Sequence, residues 1–250
     1  MIEGPEMSKD SDGSLYSPSI PLYVDDSYLR EFDAEVVRAG PRFVVLDRTA
    51  FYPESGGQPS DTGVLRADDV VVGVRKVMKR GRDIFHYLDG NLPMGARVHG
   101  SIDWEQRFCN MRRHSAEHLL TGLFDKAGSG PKVYSDLERL EFRPSSLDEE
   151  TMKLVWARFD EIVDEDVPVN IYYAGRDEIE VGDDERRQSF LEKIPRDVDR
   201  LRMVGISGHA LTFCFGTHVR STGEIGHLSK LELHMEKRDR RVITFTLERK

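Results

Sequence analysis

The sequence predicts an α+β protein, with a small antiparallel barrel or sandwich first and a mixed region of helices and strands after it. Three observations carry this reading. Between residues 20 and 103 lie seven short runs rich in β-branched and aromatic residues, separated by turn formers and lacking helical periodicity. At Trp104 the apolar spacing changes to that of a helix. Beyond Pro168 strand-like runs return and end in a hairpin.

The elements follow in order. Residues 1–19 begin with a polar, glycine-containing stretch and are expected to be disordered or weakly ordered. The strand runs are "PLYV", "DAEVV", "RFVVLD", "GVLR", "VVVGVRKVM", "DIFHYL" and "ARVHGSI". Residues 104–126 read as a helix, with Phe108, Met111, Leu119, Leu120 and Leu123 at helical intervals and "GSGP" as its stop. The stretch "SSLDEETMKLVWARFDEIV" announces a second helix. Ser145 or Ser146 is its expected cap, Asp148, Glu149 and Glu150 suit the positive end of its dipole, and Val155, Phe159 and Ile162 form its apolar stripe. "VNIYY" reads as a strand and residues 183–193 as a charged helical stretch. The closing hairpin joins "LSKLELHME" to "RVITFTLE" through "KRDR", with Ile243, Phe245 and Leu247 on one face. A boundary near residue 103 divides the chain into a domain at 20–103 and another at 104–250.

Composition narrows the function classes. A chain of 250 residues that is 38% hydrophobic and 32% charged can bury a sizeable core. No run approaches the length of a membrane span, and the N-terminus lacks a signal-peptide pattern, so a cytoplasmic location with no membrane partner is expected. Cys109 and Cys214 are too few for a disulfide framework, which leaves a ligand or a reactive thiol. The net charge of −9 argues against nucleic-acid binding through overall charge, but basic residues cluster locally. Arg75, Lys76, Lys79, Arg80 and Arg82 form one cluster, Arg107, Arg112 and Arg113 another, and "KRDRR" at 237–241 a third.

Two pairs of metal-ligating residues stand out. In "RRHSAEHLL", His114 and His118 lie four apart, so on a helix both imidazoles can converge on one ion. In "CFGTHV", Cys214 and His218 repeat that spacing. Three nitrogens and a thiolate suit tetrahedral zinc, either closed and structural or with room for chemistry. "HSAEH" also matches the H-x-x-E-H pattern of inverted zinc peptidases, which would make Glu117 a general base. A third feature is the loop "FYPESGGQPSDTG" at 51–63, where Gly56 and Gly57 free the backbone for positive φ and Pro53 and Pro59 stiffen the flanks.

These motifs, together with "STGEIG" and in this order, resemble the editing domain of alanyl-tRNA synthetase and its free-standing relatives, the AlaX editing proteins of medium length. The resemblance covers roughly residues 20–250 and implies a β-barrel domain bearing the glycine-rich loop, followed by an α+β zinc-bearing editing domain. It places one zinc ion on His114, His118, Cys214 and His218, and the family's glycine-rich motif on Gly56, Gly57 and Gln58, with Gln58 as the catalytic candidate. Ser135, or Tyr134 beside it, falls near where relatives place a threonine that reads serine, and Thr217 is a further substrate-binding candidate. Phe215 and Ser55 replace glycines common in the family. The reaction the resemblance implies is hydrolysis of the ester joining a wrong amino acid, chiefly serine and secondarily glycine, to the 3′ end of the tRNA for alanine. Two other classes stay open: a metallopeptidase dependent on Glu117, and an RNA-binding module with structural zinc.

Overall fold

The structure is a computed structural model, and it describes residues 8–9, 15–16, 18–129, 132–142, 147–179, 191–192, 198–236 and 240–249. The chain divides into two units, Met1–Met111 and Arg112–Lys250, with the division inside the first helix. Within the N-terminal segment, β1 (Ser8–Lys9) pairs with β2 (Leu15–Tyr16); the other residues up to 14, and residue 17, lie outside the described set.

The first unit is a closed six-stranded antiparallel barrel. A short parallel pair, β3 (Ile20–Pro21) with β6 (Arg48–Thr49), stands beside it. The barrel strands are β4 (Glu31–Gly40), β5 (Phe43–Leu46), β7 (Gly63–Ala67), β8 (Val70–Arg80), β9 (Asp83–Leu88) and β10 (Arg97–Ile102). Around the barrel they run β10-β4-β5-β9-β8-β7. Closure bends long strands, and the register shifts where bending is needed: between Val36 and Arg38 on β4, and between Val74 and Lys76 on β8. Alternate positions face inward, so Val36, Val44, Leu46, Leu65, Val74, Val77, Ile84, Leu88 and Val98 fill the core with Phe32 and Phe51. Six of the seven expected runs are barrel strands. The exception is "PLYV": Leu22–Val24 is a 3-10 turn, closed by Asp25 N and Asp26 N donating to Leu22 O, and it tucks Tyr23 into the core.

The second unit is α+β. Helix α1 (Trp104–Lys126) has the predicted bounds. Helix α2 (Glu149–Asp164) buries Val155, Phe159 and Ile162 along with Met152 and Val163, and packs against strand β16 (Leu228–Met235) and a short helix, α3 (Thr222–Ile225). Its cap is Asp148 and not a serine: the carboxylate accepts from Thr151 N at 2.8 Å and Met152 N bonds the Asp148 carbonyl, so the helix starts nearer the apolar stripe. The residues expected to cap lie outside the described set. One sheet runs β11 (Lys132–Ser135), β12 (Arg139–Phe142), β17 (Arg241–Leu247), β16 (Leu228–Met235). A second runs β13 (Val169–Gly175), β14 (Arg200–Ile206), β15 (Ala210–Phe213). Strands β16 and β17 pair as the sequence reading expects, with Ile243 and Phe245 buried, while residues 237–239 of the expected turn lie outside the described set. Of the charged stretch at 183–193, only residues 191 and 192, both helical, are described.

Candidate metal centre

The second half of α1 brings His114 and His118 one turn apart on the same face, each less than a tenth exposed. Where α1 passes the β14–β15 turn, the backbone comes so close that a Cβ on Gly122 would lie 2.2 Å from the His209 carbonyl oxygen, and Lys126 Nζ donates to Gly208 O. Beyond β15 the chain presents Cys214 and His218. His114 Nε2 lies 3.5 Å and His218 Nε2 3.4 Å from Cys214 Sγ. The three imidazole centroids are 4.3, 4.6 and 4.8 Å apart, and the four ligand atoms all lie within 4.8 Å of one another. Zinc bonds of about 2.3 Å to sulfur and about 2.0 Å to nitrogen place tetrahedral ligand atoms roughly 3.5 Å apart. The sulfur–nitrogen distances already have that value. His118 Nδ1 is buried and without a hydrogen-bond partner among the described residues, which is costly unless something else fills the role. The donor set and its spacing fit a zinc ion.

Electrostatics point the same way. Burial by itself raises the Cys214 thiol, but the imidazoles of His114, His218 and His118 outweigh it and hold the group well below the ordinary thiol range. Burial, followed by the charge of His114, pushes His218 down to about 3, so its ring is neutral and ready to bind a cation.

Two supports were not singled out in the sequence. Ser115 is fully buried between the two helix histidines; its Oγ lies 3.1 Å from His218 Nδ1 and accepts from Val219 N at 3.2 Å. With Nε2 as the ligand of a bound ion, Nδ1 would carry the proton and donate to Ser115, which would fix the tautomer. Arg202, also fully buried, holds the cysteine loop from below: its backbone oxygen accepts from Cys214 N at 3.1 Å, and Nη1 donates to Cys214 O at 2.5 Å and Gly216 O at 3.1 Å. Gly216 N in turn donates to Cys214 Sγ at 3.3 Å. An arginine inside the apolar run "LRMVGI" was the available signal, since an unpaired cation is almost never found on the buried face of a strand.

The other candidates fall as follows. Glu117 is buried, with Oε1 3.2 Å from Thr121 Oγ1 and Oε2 3.5 Å from His118 Nε2. Thr217 is fully buried next to His218, and Ser135 is half-buried at the end of β11 opposite Leu140. Tyr134 pairs with Glu141 in the same ladder. In the first unit, Gly56 and Gly57 have φ of 56° and 84°, and the tip is closed by backbone bonds between Ser55 and Gln58. Residues 54–57 are exposed, whereas Gln58 is buried at 1% exposure. The loop base is fixed by Asp61, whose carboxylate takes Tyr52 N at 2.6 Å and the Arg107 guanidinium; Arg107 also donates to Ser27 O and Ala50 O. No described helix is long and apolar enough to cross a membrane.

Comparison with known proteins agrees with the motifs. The family described as tRNA synthetases class II (A) matches residues 23–106, and that described as threonyl and alanyl tRNA synthetase second additional domain matches residues 201–243. The alanyl-tRNA editing protein AlaX-M of Methanosarcina acetivorans is 38% identical over 241 residues, covering 90% of this chain and 98% of that protein. AlaX-M of Methanosarcina barkeri is 36% identical with the same coverage. The alanine–tRNA ligase of Ignicoccus hospitalis is 35% identical over 85% of this chain but only 24% of the ligase. With relatives matched almost end to end at more than a third identity, the chain belongs to the AlaX family of alanyl-tRNA editing proteins.

Proposed function

We propose that this chain is a trans-editing hydrolase that removes serine, and glycine, from mischarged tRNA for alanine. The observation that carries the reading is the His114, His118, Cys214 and His218 cluster in a chain matched over 98% of an alanyl-tRNA editing protein. The chemical need is clear. A synthetic pocket shaped for alanine excludes glycine poorly, because glycine is smaller, and rejects one added hydroxyl only modestly. A second site that hydrogen-bonds the serine hydroxyl reverses this, since alanine then leaves buried polar groups unpaired.

Zinc held by the four residues would supply a Lewis acid for the ester or a means of lowering the pKa of water. The chain's own residues do the rest. Ser115 keeps His218 in the tautomer with Nε2 unprotonated, and Arg202 holds the cysteine loop so that Cys214 meets the histidines. Ser135 and Thr217 are the hydroxyls assigned to substrate reading. Gly56 and Gly57, with exposed backbone in positive-φ conformations, bring main-chain N–H groups against the RNA end, and Gln58 is the catalytic candidate of that loop. Buried as it is, Gln58 acts by setting the loop or after the loop opens.

Single-turnover deacylation of seryl-tRNA and alanyl-tRNA, both on the alanine acceptor, tests this. Zinc-loaded protein should favour seryl-tRNA by at least a hundredfold, on the order of the discrimination hydrogen-bonding sites achieve. Glu117→Gln should keep most of the activity; its loss by several orders of magnitude with zinc retained would support the peptidase-like general base instead. Equal rates on both substrates would end the editing reading.

A further inference from the structure

The outside of the barrel carries an aromatic and cationic face that its packing does not require. Register defines it. Lys76 on β8 stands opposite Tyr87 on β9, and Tyr87 opposite Phe43 on β5; in the next row Met78 stands opposite Phe85, Phe85 opposite Val45, and Val45 opposite Arg38 on β4. Paired residues share a side of the sheet. The alternate positions Val36, Val44, Val77, Ile84 and Leu88 are in the barrel core, so these rows face outward. Val45 shows the consequence: it is fully buried yet lies outside the core cluster.

The rings of Phe43 and Phe85 are 5.4 Å apart, and both are half-buried, as is Tyr87. The guanidinium carbons of Arg38 and Arg80 lie 5.6 and 5.5 Å from the centroid of Phe85. A guanidinium resting on a ring gains cation–π attraction and loses less freedom when it then meets an anion. The cations of this hairpin are not equivalent. Arg75 is tied to Asp89 and Lys76 to Glu54 at 2.8 Å, whereas Arg80 and Lys79 make no ion pair among the described residues. The face is also continuous with the glycine-rich loop, because Glu54 N donates to Val77 O at 3.0 Å, on the same edge of β8 where Lys76 reaches the Glu54 carboxylate.

We propose that this face, with Arg38 and Arg80 on either side of Phe85, binds the phosphate backbone of tRNA and leads its acceptor end toward the glycine-rich loop. The choice of RNA as occupant rests on the editing reading above. The face itself rests on complementarity: fixed guanidinium forks suit phosphate oxygens, and the aromatic surface beside them suits sugars and bases.

The test measures binding of uncharged tRNA for alanine by fluorescence anisotropy over a range of salt, using the full chain. Arg38→Gln with Arg80→Gln should raise Kd about tenfold and lower the slope of log K against log salt by about 1.5 to 2, two phosphate contacts' worth. Arg66→Gln with Arg97→Gln, two exposed cations on β7 and β10, is the comparison pair and should leave both quantities unchanged. Hydrolysis of a seryl ester of adenosine, too small to reach the face, should be the same in all three proteins. Unchanged Kd and slope in the first variant, or an equal loss in the comparison pair, would overturn the proposal. Tight tRNA binding lost in the first variant, with no deacylation by the parent, would leave the face standing and remove the editing reading. A parent that binds no tRNA would overturn the face as an RNA site whatever its activity on the ester.

Discussion

In the barrel a buried cation meets its carboxylate within the fold; in the candidate metal cluster four potential ligands of one ion converge instead. Arg107 and Asp61 are both fully buried, and the guanidinium reaches the carboxylate and two carbonyls while the carboxylate also takes Tyr52 N. His86, fully buried, lies 2.8 Å from Thr49 Oγ1 through Nε2, and that hydroxyl oxygen accepts from Phe51 N. In the second unit three imidazoles and a thiol are gathered within 4.8 Å, with a buried nitrogen of His118 left without a partner among the described residues. In the first arrangement the Arg107–Asp61 pair is internally matched and serves stability, while His86 keeps one buried ring nitrogen, Nδ1, without a hydrogen-bond partner among the described residues. The second gathers four potential ligands of one kind of ion, and it is this convergence of donor atoms that fits a cation.

The largest effect should come from unbalancing the first. Arg107→Met would leave the Asp61 carboxylate buried without its cation, and should cost about 3 to 5 kcal/mol, whereas adding Asp61→Asn should recover most of the loss. The two tryptophans fall one in each unit, so urea unfolding followed by Trp104 fluorescence in a Trp156→Phe background reports on the barrel. Additive losses in the double variant would mean that the pair is not coupled as its geometry requires.

How far the sequence reveals these two interiors follows from the range of the interactions. The convergence of His114, His118, Cys214 and His218 is legible because residue types able to ligate a metal are few and their spacing of four survives as a pattern. The bounds of α1 are legible because the apolar period changes at Trp104 and ends at the glycines. The barrel strands show their alternation, but "PLYV" does not show that it turns inward, since a 3-10 turn with one buried tyrosine has no period to detect. Arg107 and Asp61 are 46 residues apart, and neither residue type announces a buried partner. Ser115 and Arg202 act through a ring nitrogen 103 residues away and through two carbonyls, contacts that leave no spacing rule. The resemblance makes Gln58 the catalytic candidate of an exposed loop, and its near-complete burial is a tertiary fact that no local pattern shows.

An intermediate effect separates the interiors by pH. Burial lowers His86 from its ordinary 6.5 to about 4, outweighing the raising influence of the nearby Val44 and Ile84 backbone, so the ring is neutral in the fold. The unfolded chain takes up a proton at this residue as pH falls below about 6.5 while the folded one does not until about 4. Stability from His86 is therefore fully present above pH 6.5 and is lost as pH falls through the window from 6.5 to about 4, by up to about 3 kcal/mol. His86→Gln removes the titration and keeps a hydrogen-bonding group near Thr49. Barrel stability in the parent should fall toward that of the variant over this window. Parallel curves would show that His86 is not the group that the acid attacks.

The smallest effect on stability, and the one that tests the second interior, belongs to Arg202. Arg202→Met removes the donors to Cys214 O and Gly216 O but leaves a long side chain to fill the space. Arg202 donates to the Cys214 and Gly216 carbonyls, whereas Arg107 holds a buried carboxylate, so the stability cost should be about 1 to 3 kcal/mol, that of buried carbonyls left without donors. The loss should appear instead in the metal. With the loop no longer held, Cys214 reaches its place beside His114 and His218 only part of the time, and zinc affinity measured by competition with a chromophoric chelator should fall about 10- to 100-fold. Arg202→Lys, with one donor group able to reach one carbonyl, should fall between. Cobalt in place of zinc gives an independent reading, because the thiolate-to-metal absorption band weakens only if Cys214 itself is displaced. A methionine variant with the parent's zinc affinity and an unchanged cobalt spectrum would show that the loop is shaped by its backbone bonds to β14 and by Gly216 N, and that Arg202 is a buried cation with no part in the metal centre.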